Sequence, residues 1–418
     1  MDKTKLRRVV SDQAENFNQS SEYILRAFNE NILKTRKISV ITGVRRCGKS
    51  TLLKIFSKSF KKYGFLNFED ERLLNFSYKD FDSLLEIYYE IYGVDLKTFF
   101  FDEIQNVYGW EKFVSRMYGE GKKVFITGSN SKLLSSELSS SITGRHISEI
   151  LYPFSFREFL DFKNYEIKKF YSTKDTSLII KYFSEFLKYG GFPEVVMSKD
   201  KDELIQLYQD ILIKDIIVRH RLKDTKAFRE LSHYLLSNIC TNYSYNNLSG
   251  LLHIKSPMSV KNYIGYLEDA YLYISIPKFD YSIKKQIAND RKVYVIDTGI
   301  YNAVAFSFSE NRGKVLENFV LTELLRKKSD IFYFKEKYEC DFLLKTGNII
   351  TQAIQVTDNL SDINTKEREI RGLLEAMNKF KIKDGLILTY DLFDEFKSDG
   401  KIIKALPIWH WLLFENSQ

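Results

Sequence analysis

The stretch VITGVRRCGKSTLL, residues 40–53, constrains the fold more than any other part of the sequence. Gly43 is followed after four residues by Gly48, Lys49 and Ser50, with the β-rich run KISVIT before it and apolar residues at helical spacing after it. Glycines let backbone N–H groups turn towards a bound anion, and the following helix presents its positive end at the same place. The order strand, glycine-rich loop, helix therefore predicts a phosphate-binding loop. Lys49 is expected to reach the terminal phosphates and Ser50 to bind Mg²⁺. The predicted nucleotide contacts of this loop are Gly43, Val44, Arg45, Arg46, Cys47, Gly48, Lys49, Ser50 and Thr51.

A second motif, TFFFDEIQ, ends an apolar run with two acids about fifty residues later. Paired acids at a strand end are common on protein surfaces, but after a phosphate-binding loop they are typical of a hydrolytic pair. Asp102 is predicted to join the Mg²⁺ coordination shell, and Glu103 to orient or deprotonate an attacking water.

Three further polar residues are candidates for sensing the nucleotide. Ser129 or Asn130, at the tip of the next predicted strand, could contact the γ-phosphate or could equally serve a turn. Arg145, in SITGRHI, is a candidate arginine finger that would act on the nucleotide of another subunit. The sequence does not say where Arg45 and Arg46 point.

Length and composition limit the classes of protein to which this chain can belong. A chain of 418 residues with 44% hydrophobic residues predicts two or three packed domains. A net charge of +8 is a mild excess and does not by itself indicate a nucleic-acid partner. Three widely spaced cysteines and the lack of an apolar run near twenty residues favour a cytoplasmic protein without a membrane segment.

Periodicity predicts an α/β chain in four parts. Apolar strands alternating with helices indicate a P-loop parallel sheet over residues 1–155, and a helical annex follows over 156–227. Three helices and a hairpin suggest a winged-helix module over 228–296. A second α/β unit occupies 297–418.

Several motifs in order resemble a known family. They are ITGVRRCGKSTLL, LNFEDERL, FFFDEIQNVYGWEKFV, ITGSNSKLLSSEL, TGRHI, LYPFSFREFL and GGFPEVV. Together they resemble the prokaryotic AAA-type ATPases in which an ATPase domain is followed by a domain of unknown function. The resemblance spans nearly the whole chain. It implies ATP and Mg²⁺ as cofactors, a winged helix behind the annex, and a C-terminal domain similar to restriction endonucleases.

The winged-helix prediction places SPMSVKNYIGYLE as its recognition helix. Val260, Ile264 and Leu267 share its apolar face, which leaves Lys261 and Asn262 outward. The basic residues expected around the wing are Lys278, Lys284, Lys285, Arg291 and Lys292. Of these residues, Lys261, Asn262, Lys284 and Lys285 are the predicted DNA contacts. A winged helix can also bind protein, so a protein partner stays open.

The C-terminal unit resembles a PD-(D/E)xK nuclease core, which needs acids for a divalent metal and a lysine. The resemblance places Glu317 and Asp341 at the positions of the acids. Gln355 stands at the third position, but Thr357 replaces the lysine, and threonine cannot supply an ammonium charge. Lys366 could supply this charge only by reaching in from the next helix. We therefore expect a degenerate site used for binding or scaffolding.

Together, these features predict an Mg²⁺-dependent ATPase that moves a winged helix and a nuclease-like domain on double-stranded DNA. The alternative is a nucleotide-gated signalling or interaction module with little hydrolysis. An ATP-controlled nuclease is the third hypothesis. An arginine finger acting in trans would require an oligomer, which the sequence does not establish.

Overall fold

The computed structural model describes residues 1–19, 23–131, 142, 144–306, 311–398 and 400–415. Much of the motif ITGSNSKLLSSEL and the start of SITGRHI lie outside these residues. The chain forms two compact units. The first contains Met1–Pro153 with Asp269–Tyr271, and the second contains Phe154–Glu268 with Leu272–Gln418. Within the described ranges, no helix has the length and apolarity needed to cross a membrane.

A five-stranded sheet forms the centre of the first unit. Its strands are β1 (Ile38–Thr42), β2 (Gly64–Asn67), β3 (Thr98–Asp102), β4 (Lys123–Gly128) and β5 (His146–Ile150). They lie in the order β2-β3-β4-β1-β5, and all neighbours are parallel. Every residue of β1 and β3 is buried, because parallel strands are covered on both faces. The predicted parallel α/β sheet is confirmed, whereas β5 was not anticipated.

Helices cover this sheet. They are α1 (Lys3–Asn18), α2 (Asn31–Lys34), α3 (Lys49–Ser57), α4 (Phe81–Tyr92) and α5 (Trp110–Gly119), with short 3-10 turns at Glu71–Leu73, Tyr78–Asp80 and Ile104–Asn106. The core is rich in phenylalanine, and the rings of Phe81 and Phe113 stack with centroids 3.9 Å apart between α4 and α5. Such packing fixes where the strands end, and therefore where the motif residues lie.

The second unit begins with a helical segment. It contains α6 (Phe156–Phe162), α7 (Thr173–Tyr189), α8 (Pro193–Ser198), α9 (Lys201–Asp210) and a π-helical stretch, Ile211–Val218. A capping box starts α6, since the Glu158 N–H donates to Ser155 Oγ at 3.2 Å and the Ser155 N–H donates to Glu158 Oε2 at 2.7 Å. The Gly/Pro break predicted in YGGFPEVV falls between α7 and α8.

The next segment combines helices with a small antiparallel sheet. Its elements are α10 (Thr225–Ser237), β6 (Thr241–Tyr243), α11 (Tyr245–Leu251), α12 (Pro257–Asp269), β7 (Tyr273–Pro277), α13 (Ile283–Ala288) and β8 (Arg291–Val295). The strand order is β6-β8-β7, and both pairs are antiparallel. Strand β6 and the short helix α13 were not predicted from the sequence.

A six-stranded mixed sheet completes the second unit. The elements are α14 (Thr298–Val304), α15 (Arg312–Leu325), β9 (Asp330–Lys335), β10 (Glu339–Thr346), β11 (Ile349–Val356), α16 (Ile363–Phe380), β12 (Asp384–Thr389), β13 (Asp394–Ser398), β14 (Lys401–Pro407), α17 (Ile408–His410) and a π-helical turn, Trp411–Glu415. The strand order is β13-β14-β12-β11-β10-β9. Helix α16 connects β11 to its parallel neighbour β12, which is the crossover that parallel strands require.

A buried aspartate ties the α7–α8 turn to the start of α14. Asp297 Oδ2 accepts from the Gly191 N–H at 2.7 Å, and Oδ1 accepts from the Gly299 N–H at 2.8 Å. Burial raises the pKa of Asp297 to about 6, although these N–H donors act in the opposite direction. The ionised carboxylate is therefore costly in its folded position.

This shift predicts a pH-dependent stability. The pKa of Asp297 is higher in the folded chain than its ordinary 3.8, so the folded state binds more protons between these two values. Stability from this group should fall as pH rises from about 4 to about 6, by up to about 1.4 kcal/mol per pH unit. Asn at position 297 does not titrate, so the difference in unfolding free energy between wild type and Asp297→Asn isolates the effect. Urea unfolding of both proteins at several pH values measures it, and a difference independent of pH would contradict the assignment.

Candidate nucleotide-binding site

The glycine-rich loop connects β1 to α3 in the first unit. Gly43 has φ 152° and passes so close to β5 that a Cβ there would lie 2.1 Å from the Leu151 carbonyl oxygen. Gly48 has φ 101° and immediately precedes α3. Lys49 is 5% exposed, and its Nζ donates to the carbonyls of Gly43 at 3.1 Å and Val44 at 3.2 Å. The loop thus curls around the ammonium at the start of a helix, as the sequence predicted.

The two predicted magnesium ligands face a common space. Ser50 and Asp102 line one cavity of about 420 Å³, which Lys54 and the acidic run Glu69–Glu71 also border. Asp102 is 1% exposed, and its Oδ1 accepts a short hydrogen bond from Thr127 Oγ1. Among the described residues, Asp102 Oδ2 has no hydrogen-bond partner. A buried carboxylate oxygen without a donor, beside a serine hydroxyl, fits the hard oxygen ligands that Mg²⁺ prefers.

The electrostatic surroundings of Asp102 also fit a bound cation. Burial and the neighbouring Glu103 carboxylate raise the pKa of Asp102 to about 6, while Ser50, Thr127 and Lys49 lower it. A nearby cation would favour the ionised form further.

Thr127, in β4, holds both acids in place. Its Oγ1 accepts from the Glu103 N–H at 2.9 Å while donating to Asp102. Glu103 has φ 52°, a left-handed conformation that is costly for a residue with a side chain. Its carboxylate accepts from the Gln105 amide, and Glu103 Oε1 lies 3.5 Å from Lys49 Nζ. Sequence reasoning missed Thr127 and Gln105, although both lie inside the quoted motifs.

Replacing Thr127 with Val should reduce ATP turnover by about 10- to 100-fold, because the support of both carboxylates is lost. Thr127→Ser keeps the hydroxyl and should retain most of the activity. Phosphate release measured at saturating ATP, with protein stability checked in parallel, tests this. Equal activity of the Val and Ser variants would show that the bridge is unimportant.

A buried arginine also supports the loop. Arg26 is 6% exposed, and its guanidinium donates to the carbonyls of Cys47 at 2.8 Å and Tyr152 at 2.6 Å. It therefore fixes the outer side of the phosphate-binding loop against the end of β5. No periodic signal in the sequence around Arg26 pointed to it.

The other predicted loop residues occupy varied positions. Val44 and Cys47 are buried, and burial raises the pKa of the Cys47 thiol. Arg45 Nη1 donates to Glu69 Oε1 at 2.8 Å, and Arg46 is exposed with φ 61°. Thr51 lies half-buried in the first turn of α3. The structure thus aims Arg45 towards the acidic run that borders the cavity.

The sensor candidates follow β4. Ser129 and Asn130 are 2% and 5% exposed. Strand β4 lies between β1 and β3, so both residues follow a strand end flanked by the loop and the acid pair. Arg145 is exposed, and its Nη1 lies 3.3 Å from Ser115 Oγ. Its role as an arginine finger stays a prediction.

The predicted DNA contacts are solvent-facing. Lys261 and Asn262 are exposed on α12, whose buried face carries the predicted Val260, Ile264 and Leu267. Lys284 and Lys285 are exposed on α13. All four residues are exposed within residues 228–296, and their contact with DNA stays a prediction.

Two lysines lie elsewhere than expected. Lys292 was expected on the wing surface, but it is 2% exposed because β8 directs it towards buried carboxylates. Lys366 was considered as the missing nuclease-like lysine, but its Nζ lies 3.8 Å from Asp394 Oδ2 and over the Phe396 ring. The expectation for Lys292 was wrong, and Lys366 pairs with Asp394 instead of with the acids of the predicted nuclease-like site. Neither contact can be predicted from the local sequence.

The nuclease-like residues do come together. Lys292 Nζ lies 2.9 Å from Glu317 Oε1 and 3.1 Å from Asp341 Oδ1. The Asp341 N–H donates to Gln355 Oε1 at 3.2 Å. We call Lys292, Glu317, Glu339 and Asp341 the carboxylate cluster. The sequence identified its two central acids but not Lys292 or Glu339.

The sequence was compared with models of protein families and with known proteins. Residues 35–160 match the model of an AAA domain, and residues 180–311 match a domain of unknown function (DUF8612). The uncharacterized protein MJ1544 of Methanocaldococcus jannaschii is 39% identical over 398 residues, which covers 90% of this chain and 88% of that protein. The chain belongs to the same family as MJ1544.

Other members and structures extend the comparison. An uncharacterized protein of Haemophilus influenzae is 30% identical over 397 residues, covering 90% of this chain and 94% of that protein. The family that this chain shares with MJ1544 therefore includes an archaeal and a bacterial relative at nearly full length. The solved structure of the Aeropyrum pernix ORC1 protein in complex with DNA is 13% identical, covers 72% of this chain and 91% of that chain, and has a TM-score of 0.29. A TM-score this low does not establish a shared overall fold.

Proposed function

We propose that this chain is an Mg²⁺-dependent ATPase whose nucleotide state controls its second unit on double-stranded DNA. The ATPase part rests on one observation at Asp102. Its buried Oδ2 has no hydrogen-bond donor among the described residues, and it lies at the cavity that Ser50 also lines. The matching AAA domain over residues 35–160 supports the same assignment.

The proposed chemistry uses the chain's own groups in fixed roles. Lys49 exchanges the carbonyls of Gly43 and Val44 for oxygens of the β- and γ-phosphates, while backbone N–H groups of the loop bind the same phosphates. Ser50 and Asp102 would hold Mg²⁺, which neutralises the charge that develops on the phosphates. Glu103 orients the attacking water and accepts its proton.

The position of Glu103 suits this role. Its carboxylate is held by the Gln105 amide and lies 3.5 Å from the Lys49 ammonium. Because Glu103 is 9% exposed, bulk water has little access to it, and a base in such a site keeps its orientation. Thr127 prevents the two acids from rearranging.

For the DNA part, we propose that residues 228–296 act as a winged helix and that α12 is its recognition helix. The order of α10, α11 and α12 with a three-stranded antiparallel sheet supports this. Lys261 and Asn262 would contact base edges or phosphates, and Lys284 and Lys285 would contact phosphates.

A contact within the first unit supports coupling between nucleotide and DNA. The segment Asp269–Tyr271, which starts at the last residue of α12, belongs to the first unit. The Tyr271 and Thr42 hydroxyls lie 2.7 Å apart, and Thr42 is the last residue of β1 before the phosphate-binding loop. A change in the loop can therefore reach α12 through two residues of covalent chain.

The DNA proposal predicts a change in salt dependence. The double variant Lys284→Ala/Lys285→Ala should bind duplex DNA more weakly, with the slope of log affinity against log salt reduced by about 1.8, because two phosphate contacts are lost. Fluorescence anisotropy across a salt series measures this slope. The exposed lysines of α7 supply the matched control, since Lys174→Ala/Lys181→Ala removes the same charge elsewhere.

ATP turnover with and without duplex DNA completes the test. A DNA-stimulated rate that is lost in the Lys284/Lys285 variant would support the coupling. Failure of the wild type to bind DNA at low salt would overturn the DNA part and favour a nucleotide-gated protein-interaction module. The ATPase part would be tested separately, by turnover without DNA.

A further inference from the structure

The carboxylate cluster of the second unit contains a buried cation supplied by the chain itself. Lys292 Nζ lies 2.9 Å from Glu317 Oε1, 2.7 Å from Glu339 Oε1 and 3.1 Å from Asp341 Oδ1. An ammonium has three N–H donors, and here each has a carboxylate acceptor. Lys292 is 2% exposed, so these charges interact away from bulk water.

Two of the three remaining carboxylate oxygens of the cluster are also engaged, and Glu317 Oε1 has a further donor. Asp341 Oδ2 accepts from the Val356 N–H at 3.0 Å. Glu317 Oε1 accepts a second hydrogen bond, from the Tyr294 hydroxyl at 2.7 Å. Glu339 Oε2 lies 3.1 Å from Lys335 Nζ. A metal ion bound among these acids would have to displace donors that already satisfy them.

An endonuclease-like fold would place a divalent cation between Glu317 and Asp341. The residues present do not fit one. The ammonium lies between the two acids, and it would be repelled by a divalent cation sharing their oxygens. In the ranges that the structure describes, no group of three or more His, Cys, Asp or Glu side chains is arranged to hold a metal ion.

The position of Lys292 also links separate elements. It belongs to β8 of the small antiparallel sheet, whereas Glu317 belongs to α15 and Asp341 to β10. Its three ion pairs therefore join the predicted winged-helix segment to the C-terminal sheet. Breaking a buried ion pair by removing one partner is strongly destabilising, because the other charge is left uncompensated.

We propose that the Lys292 ammonium takes the place of a divalent cation in the carboxylate cluster. The C-terminal α/β part is then a cation-independent scaffold fixed to β8, and not a metal nuclease. This inference goes beyond the ATPase and DNA proposals and does not depend on them.

The first test removes the internal cation. Lys292→Met keeps the side-chain length and leaves Glu317, Glu339 and Asp341 without it. We expect this variant to have a lower thermal unfolding midpoint than the wild type. We expect Mn²⁺ to raise the midpoint of the variant and to leave the midpoint of the nucleotide-free wild type unchanged. Lys335→Met is the matched control, because it removes a lysine that pairs with Glu339 of the cluster from outside, through a side chain that is 48% exposed. If Mn²⁺ does not raise the unfolding midpoint of Lys292→Met, the inference is wrong.

The second test needs no change at Lys292. Bound Mn²⁺ can be counted by electron paramagnetic resonance in the nucleotide-free wild type and in Asp341→Asn. We expect equal numbers of bound ions, since Asp102 and the rest of the chain are the same in both. If the wild type binds one more Mn²⁺ per chain than Asp341→Asn, the cluster is a metal site and the inference is wrong. This comparison stands even where Lys292→Met does not fold.

Discussion

Glu103→Gln should bind ATP as well as the wild type does and lose about 10²- to 10⁴-fold of its turnover. The amide keeps the size of the side chain and its contact with Gln105, but it cannot accept a proton from water. The loss should therefore fall on kcat, because ground-state binding by the loop is unchanged. Single-turnover phosphate release and equilibrium ATP binding, measured on the same preparation, separate these quantities.

The control for Glu103→Gln is Glu120→Gln, an exposed residue after α5. It makes the same chemical change away from the cavity and should behave as the wild type. Normal turnover in Glu103→Gln would remove the residue from the proposed chemistry. Loss of ATP binding instead of turnover would assign it a role in the ground state, through its proximity to Lys49.

Lys49→Ala should weaken ATP binding by about 10²- to 10³-fold, because an ammonium that makes two charge-assisted hydrogen bonds is lost. In the present structure this ammonium is already desolvated and held by the carbonyls of Gly43 and Val44. Exchanging these neutral acceptors for phosphate oxygens is favourable, and alanine removes that gain. Equilibrium binding of a fluorescent ATP analogue measures the effect directly.

Lys61→Ala, an exposed lysine beyond α3, should leave ATP binding unchanged and so controls for net charge. Lys49→Arg tests geometry at constant charge, and it should recover little, because a planar guanidinium does not fit a loop closed around an ammonium. ATP binding by Lys49→Ala at wild-type affinity would place the nucleotide elsewhere in the chain.

Local sequence predicted the glycine-rich loop between a strand and a helix, and the strand that ends at Asp102, for physical reasons. Strands β1 and β3 are buried along their whole length, so they appear as mainly apolar runs that end next to the predicted site residues. The backbone path of the loop requires glycine, because a side chain at Gly43 would collide with the Leu151 carbonyl oxygen. Signals of this kind do not depend on distant parts of the chain.

The residues that were missed owe their roles to contacts between distant segments. Thr127 appears in the sequence as an ordinary strand residue, and only its position beside β3 makes it a bridge between two acids. Arg26 acts on carbonyls 21 and 126 residues away. Lys292 follows Arg291 in a basic stretch that looks solvated, and its burial depends on acids contributed by α15 and β10. Sequence periodicity predicts helices and strands, but it does not predict which distant residues contact one another.

The backbone of Glu103 indicates what this position is selected for. A glycine would adopt φ 52° without the steric cost that a side chain incurs there, about 1 kcal/mol or more. A sequence optimised for folding alone would therefore place glycine after Asp102. The chain instead carries a carboxylate in an unfavourable backbone conformation, and the role proposed for Glu103 gives a reason for that cost. A Glu103→Gly substitution made to stabilise the protein would remove the carboxylate to which we assign activation of the water.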